Sequence, residues 1–202
     1  MLYVTRMPGK SYSGDFLPLS AREEEIRGNL RSSLKTVAVD IGERNIYRFD
    51  KLRETAAFIT GDLENYGYTV EFQEYRTHDL PVRNIEAHSP GRKRSGGIVI
   101  VGAHYDSVQG CPGANDNGSG VAALLELARL LRHADHERNI RFVFFVNEEP
   151  PFFLTGEMGS QKYAERCRKR GEKIEAMFSL ETIGYYSDTP GSQNYPFPFK
   201  GC

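Results

Sequence analysis

The sequence predicts an α/β chain, a three-layer α/β/α sandwich around a mixed, largely parallel central sheet. Three apolar runs, Ile98–Val101, Ile140–Val146 and Ile174–Leu180, read as interior strands buried on both faces. Segments of helical periodicity separate them, the alternation that builds parallel crossovers. Each run is followed closely by histidine or acidic residues, and in open α/β sheets ligands bind just beyond the carboxyl ends of the strands. A chain of 202 residues fits one domain, here taken as 1–202, and can bury roughly 70% of its unfolded surface.

Residues 1–20, with Pro8, Gly9, Gly14 and Pro18, read as an irregular arm. Ser20 and Glu23 have the spacing of a capping box, after which Ile26, Leu30, Leu34, Val37 and Ile41 recur at helical intervals. A second helix is expected over Phe49–Tyr66, with Leu52, Ala56, Ile59 and Leu63 on one face and Gly67 as its stop. Tyr68–Tyr75 alternates like a half-buried strand near a sheet edge, and Val82–Ala87 is a weaker strand closed by Ser89-Pro90-Gly91. Val121, Leu124, Leu125, Ala128 and Leu131 mark the clearest amphipathic helix. A last helix is expected over 159–170, where Arg166, Arg168, Lys169 and Arg170 suit the negative end of the dipole.

Charge is balanced, with 26 Lys and Arg against 27 Asp and Glu, and no long basic run points to nucleic acid or a membrane surface. The short Arg92-Lys93-Arg94 reads as a solvated turn. No apolar stretch approaches the ~20 residues of a membrane span, and the first residues lack the apolar core of a leader. Cys111, Cys167 and Cys202 are too scattered for a disulfide framework. Compartment and oligomeric state stay open.

If the sheet is parallel, its carboxyl edge gathers His104 with Asp106, Glu148 with Glu149, and Glu181, and Asp116 joins them from a glycine-rich loop. Five carboxylates and one imidazole held together would repel one another, and a cation resolves the conflict. Oxygen ligands with one nitrogen and no thiolate suit Zn, Mn or Co in a catalytic site. Asp116 can approach two ions at once, and two metals about 3.5 to 4 Å apart would clamp the attacking and leaving oxygens of a hydrolysis. Asp106, two residues after His104 on extended chain, is placed to accept its other ring N–H. Adjacent glutamates on the stiff turn made by Pro150-Pro151 diverge, so one can ligate while the other moves a proton. Rival motifs are weaker: Asn117 stands where a nucleophile-elbow serine at Ser119 would need glycine, and Gly110–Gly113 lacks the Lys-Ser/Thr of a phosphate loop. His133 and His136 stand at a helix end, where the dipole explains them.

The blocks HYDS, GANDNGSG, FVNEEPPFF with TGEMGS, and SLETIGYY resemble, in order and spacing, the signature blocks of the M28 family of zinc aminopeptidases, over about residues 45–195. The resemblance implies the zinc-exopeptidase form of the α/β sandwich, and two Zn2+ ions in a complete site. It also implies that His104 and Glu181 ligate the first metal, Asp116 bridges, Glu149 ligates the second and Glu148 is the general base. Many members carry aspartate at the position of Glu181. The family supplies a last histidine to the second metal from further along the chain, and this sequence has none after His136. The expectation is therefore a domain incomplete at its C-terminus, its first metal site whole and its second short of a ligand. The implied activity is hydrolysis of N-terminal peptide bonds, with a peptide bearing a free N-terminus as partner. Glutaminyl cyclisation on the same fold is the alternative enzyme, and a catalytically incomplete metal-binding fragment the non-enzymatic one. Tyr185, Tyr186, Met158 and Phe152 are candidate pocket walls by nearness to the motifs.

Overall fold

The computed structural model describes residues 14–92, 96–187 and 189. Most of the predicted arm, Lys93 and Arg94 of the predicted turn, and Cys202 lie outside them. The elements in order are α1 (Ala21–Lys35), α2 (Phe49–Asn65), β1 (Val70–Thr77), β2 (Leu80–Ser89), β3 (Ile98–His104), α3 (Gly120–Leu131), β4 (Asn139–Phe145), α4 (Gly159–Lys169) and β5 (Ile174–Ser179). They form a five-stranded sheet in the order β1-β2-β4-β3-β5. The β1–β2 and β2–β4 pairs are antiparallel, and β3 pairs in parallel with both β4 and β5. The sheet is thus mixed, and the three strands leading to the candidate site are the parallel ones.

Side-chain alternation along β4 explains the layering. Phe142 and Phe144 join the core against α2 and α3, with Leu52, Ile59, Leu63, Val121, Leu124, Leu125 and Ala128. Val143 and Phe145 point the other way, to Ile100, Tyr163 and Cys167 under α4. A strand sandwiched in this manner is apolar along most of its length, as read from the sequence. Each fully buried leucine or valine of α3 contributes about 1.5–3 kcal/mol relative to exposure. The other long helix, α1, has no fully buried residue and rests on α3 partly through Asn29 and Glu25, which reach Glu126 and Arg129. Its capping box is present as expected: Ser20 Oγ accepts from the Glu23 N–H and Glu23 Oε2 accepts from the Ser20 N–H.

Two expectations need correction. The run Ile174–Leu180 is apolar enough for an interior strand, yet β5 stands at the edge among the described strands, with Met177 and Phe178 about half exposed. The first two strands reach beyond the expected ends at Tyr75 and Val82: they run on to Thr77 and Leu80 and turn on two residues. His78 and Asp79 both take positive φ (45° and 61°), as a tight hairpin turn requires, and neither is the glycine that would have announced it.

On the second face a buried polar network anchors α4 to the sheet. Glu86, on β2, is 1% exposed; it accepts hydrogen bonds from the Tyr163 hydroxyl and from Arg166 (2.6 Å). Arg166, read from sequence as a dipole-complementing cation, is therefore a partly buried ion-pair partner. Arg141 on β4 donates to Tyr163 and bidentately to Glu172 (2.7 and 2.8 Å). Burial works against ionisation of Glu86, but the neighbouring His88, the Tyr163 hydroxyl and the Arg166 charge outweigh it and hold the carboxyl down at about 2. Glu71, Glu86 and His88 also bring one ligand atom each within 4.8 Å of one another, but Arg166 already neutralises Glu86.

The start of α4 has no room to spare. A Cβ on Gly159 would stand 2.3 Å from Asn84 Oδ1 and 2.4 Å from the Val146 carbonyl. Asn84 donates to the Gly159 carbonyl and accepts from the Val146 N–H, so α4, β2 and the end of β4 meet at this glycine. Gly159→Ala is expected to cost about 1–3 kcal/mol in urea unfolding, the usual range for forcing an extra methyl into a packed site.

Candidate metal centre

β3 and β4 run in register as parallel neighbours, with His104 opposite Phe145, so their carboxyl ends emerge side by side. β5 delivers Glu181 beside them, tied in by the Leu180 N–H, which donates to the Gly102 carbonyl. The structure brings all six predicted site residues together. His104 lies at the base, its side chain 3% exposed, while Glu148, Glu181 and Asp116 are 28%, 43% and 53% exposed at the mouth.

Three carboxylates converge on one ring nitrogen. His104 Nε2 is 3.0 Å from Asp116 Oδ1, 3.4 Å from Glu181 Oε2 and 3.8 Å from Glu148 Oε2. Ligand atoms of His104, Asp116 and Glu181 lie within 4.8 Å of one another, as do those of His104, Glu148 and Glu149. Asp106 sits behind the ring. The expected contact to Nδ1 is long, 3.4 Å, and Nδ1 makes no hydrogen bond. The Asp106 oxygens are instead taken by the backbone of the next strand's turn: Oδ1 accepts from the Glu148 N–H (3.1 Å) and Oδ2 from the Glu149 N–H (3.0 Å). One carboxylate thereby fixes both glutamates relative to the histidine. Asn147, left-handed at φ 60°, turns the chain into this position.

The charges are mutually strained. Burial alone would depress the His104 imidazolium, but the carboxylates of Asp106, Asp116 and Glu181 outweigh burial and push it up to about 12. Asp116 is lowered, first by its hydrogen bond with His104. Glu149 is pushed up to about 7 by burial, with repulsion from Asp116, Asp106 and Glu148 added and the pull of His104 opposed. Glu148 rises in the same direction, again with burial as the largest cause. An excess of carboxylate oxygen around a single imidazole and one buried Glu149 oxygen without a partner fit a cation among these side chains.

Several supporting residues were not singled out from sequence. Asn117 accepts from the Gly120 N–H at the start of α3, and donates to the Leu180 carbonyl (2.8 Å) and Glu181 Oε2 (3.2 Å). It caps the helix and leaves Asp116 facing His104. Ser119 Oγ and Asn115 Oδ1 accept from the Ile183 and Gly184 N–H groups, stitching the loop before α3 to the segment after β5. Arg44, in a short connection before α2, is completely buried beneath the loop that follows β3. Only the capping pattern of Asn117 left a local trace in the sequence. Among the guessed pocket walls, Tyr185 and Tyr186 are exposed, whereas Phe152 is 4% exposed and packs on the His78 ring.

Comparison with known proteins agrees with this arrangement. The profile of peptidase family M28 matches residues 84–196. The uncharacterised protein YfbL of Escherichia coli (strain K12) is 37% identical over 190 residues, covering 90% of this chain and 56% of the relative. Aminopeptidase YwaD of Bacillus subtilis (strain 168) is 39% identical over 108 residues, covering 48% of this chain and 23% of the relative. The structure of the glutaminyl cyclase of Porphyromonas gingivalis superposes with a TM-score of 0.65 at 29% identity, over 80% of this chain and 59% of that one. The chain spans about half or less of the lengths of these two relatives. The family match runs from β2 through both glutamates to the segment beyond Glu181, and so takes in every residue gathered at the sheet edge: the chain belongs to peptidase family M28.

Proposed function

We propose that this chain carries the metal centre of an aminopeptidase that hydrolyses N-terminal peptide bonds. The observation that supports it most directly is the convergence of Asp116, Glu181 and Glu148 on His104 Nε2 at the carboxyl edge of the parallel strands. His104, Asp116 and Glu181 would hold one Zn2+, and Glu149 would face a second, with Asp116 shared between them. Zinc, when bound, supplies Lewis acidity toward the scissile carbonyl and toward water. Glu148 then has the position of the proton carrier: its backbone is held by Asp106, its carboxylate overlooks the same locus as the ligands, and it is only partly exposed. It takes the proton of the attacking water and returns it to the departing amine. Asp106 works at one remove, keeping His104 and the two glutamates in register. The exposed mouth of the site lets a peptide terminus approach from solvent.

A second reading, cyclisation of an N-terminal glutamine, draws on the likeness to the bacterial glutaminyl cyclase. One experiment separates them. The zinc-loaded protein is given leucine p-nitroanilide and, in parallel, a peptide with N-terminal glutamine. Release of p-nitroaniline that a chelator stops and Zn2+ restores is expected. Pyroglutamyl product without p-nitroaniline release would transfer the site to the cyclase reading, and neither product would overturn both.

A further inference from the structure

The largest completely buried side chain belongs to Arg44, a residue outside every recognised motif. A buried cation has to be compensated, most often by a carboxylate in contact. Here each hydrogen-bond acceptor is a backbone carbonyl. Nε donates to the Tyr105 carbonyl (2.7 Å), Nη1 to those of Pro112 (2.6 Å) and Gly42 (3.2 Å), and Nη2 to that of Gly113 (2.9 Å). Three of these acceptors, Tyr105, Pro112 and Gly113, lie beside the site residues. Tyr105 lies between His104 and Asp106, while Pro112 and Gly113 lie just before Asp116, so the guanidinium reaches both ends of the loop that joins His104, the last residue of β3, to Asp116.

Surrounding contacts reinforce that clasp. The Arg44 N–H donates to Ser107 Oγ (3.1 Å), the Ser107 N–H donates to the Arg44 carbonyl (2.9 Å), and Ser107 Oγ donates to the Cys111 carbonyl (3.0 Å). Asn45 Nδ2 adds a bond to the Ser107 carbonyl. The glycines of the loop make the approach feasible. Gly113 is left-handed at φ 58°, and a Cβ there would stand 2.6 Å from Ser107 Cβ and 3.2 Å from Arg44 Nη2. The planar, five-donor fork matches several carbonyls at once in a way that the point charge of lysine cannot. The fixed positive charge is also felt by Asp106, Asp116 and Glu149 across the loop.

We infer that Arg44 is a positioning residue of the metal centre, clasping the two ends of the Tyr105–Asp116 loop so that Asp116 is presented to the same ion as His104. The inference rests on the metal-centre reading given above. Its alternative is an arginine that merely stabilises the fold, and zinc affinity separates the two where melting temperature does not.

The test is titration with Zn2+ alone, below the melting transition, of the wild type and of Arg44→Met, Arg44→Lys, His104→Ala and Leu63→Ala. Leu63, fully buried in α2, serves as a variant destabilised away from the site. Zinc affinity is expected to fall tenfold or more in R44M, the scale on which residues behind metal ligands act. R44K should be intermediate and L63A unchanged despite a lower melting temperature. R44M and R44K binding zinc as tightly as the wild type would overturn the inference. Should R44M fail to fold, R44K and Ser107→Ala, which unfastens the same loop with the guanidinium in place, decide it by the same criterion. A wild type that binds no tighter than H104A would overturn the metal reading and this inference with it.

Discussion

Glu148→Gln is expected to lower kcat for N-terminal hydrolysis by about 10²- to 10⁴-fold, the range that a positioned general base contributes. The substitution keeps the side chain's size and a hydrogen-bonding oxygen while removing its charge and its capacity to accept a proton. The Glu148 N–H stays bonded to Asp106, so the turn survives, and zinc content and KM should change little. Glu149→Gln should behave differently. Its carboxylate, pushed up to about 7 by burial and by its acidic neighbours, is the one whose charge the site can least tolerate without a cation. That variant should lose the second zinc together with activity. Parallel measurement of zinc by atomic absorption and of turnover checks the assignment; zinc retained in E149Q and lost in E148Q would exchange the two roles.

The second large effect concerns stability. Glu86→Ala removes the acceptor of both Tyr163 and Arg166 and leaves the guanidinium, 13% exposed, without its partner. Breaking a buried pair from one side costs about 3–5 kcal/mol, which urea unfolding at neutral pH should register. The pH dependence gives an independent check. In the folded chain this carboxyl ionises at about 2, against 4.5 for the unperturbed group, so between those values the unfolded form binds more protons. The stabilisation is therefore complete above about pH 4.5 and is lost as the pH falls towards 2. The stability gap between wild type and Glu86→Gln should shrink over that window; a gap constant down to pH 2 would remove Glu86 as the anchor of α4.

How much of this was legible in the sequence depends on the range over which each interaction acts. The helix over Phe49–Asn65, the capping box at Ser20 and the buried runs of β3 and β4 are local patterns, and they appear where periodicity places them. His104, Asp116, Glu148, Glu149 and Glu181 could be named because each terminates or follows a strand, and parallel strands bring like ends together. Strand order leaves no such mark. An apolar run such as Ile174–Leu180 reads the same at the edge as in the interior, and the order β1-β2-β4-β3-β5 is set by long-range packing. Arg44 went unremarked and Arg166 was read only as a dipole-complementing cation for a related reason. Arginine carries a strong prior for the surface, and only the three-dimensional supply of carbonyls around one and of Glu86 beside the other overrides it. The hairpin at His78-Asp79 was missed because side chains other than glycine adopt its left-handed turn.

The donor set drawn from β3, β4 and β5 also bears on how the chain reaches its native state. His104, Glu148 and Glu181 are held together only after both parallel pairings of β3 have formed. Parallel pairs need long crossovers, and contacts of such sequence separation form slowly. No partly folded form lacking either pairing offers an ion this set of ligands. Acquisition of tight zinc affinity during refolding would therefore report the assembly of the parallel half of the sheet, making the metal centre a built-in clock for the joining of β3, β4 and β5.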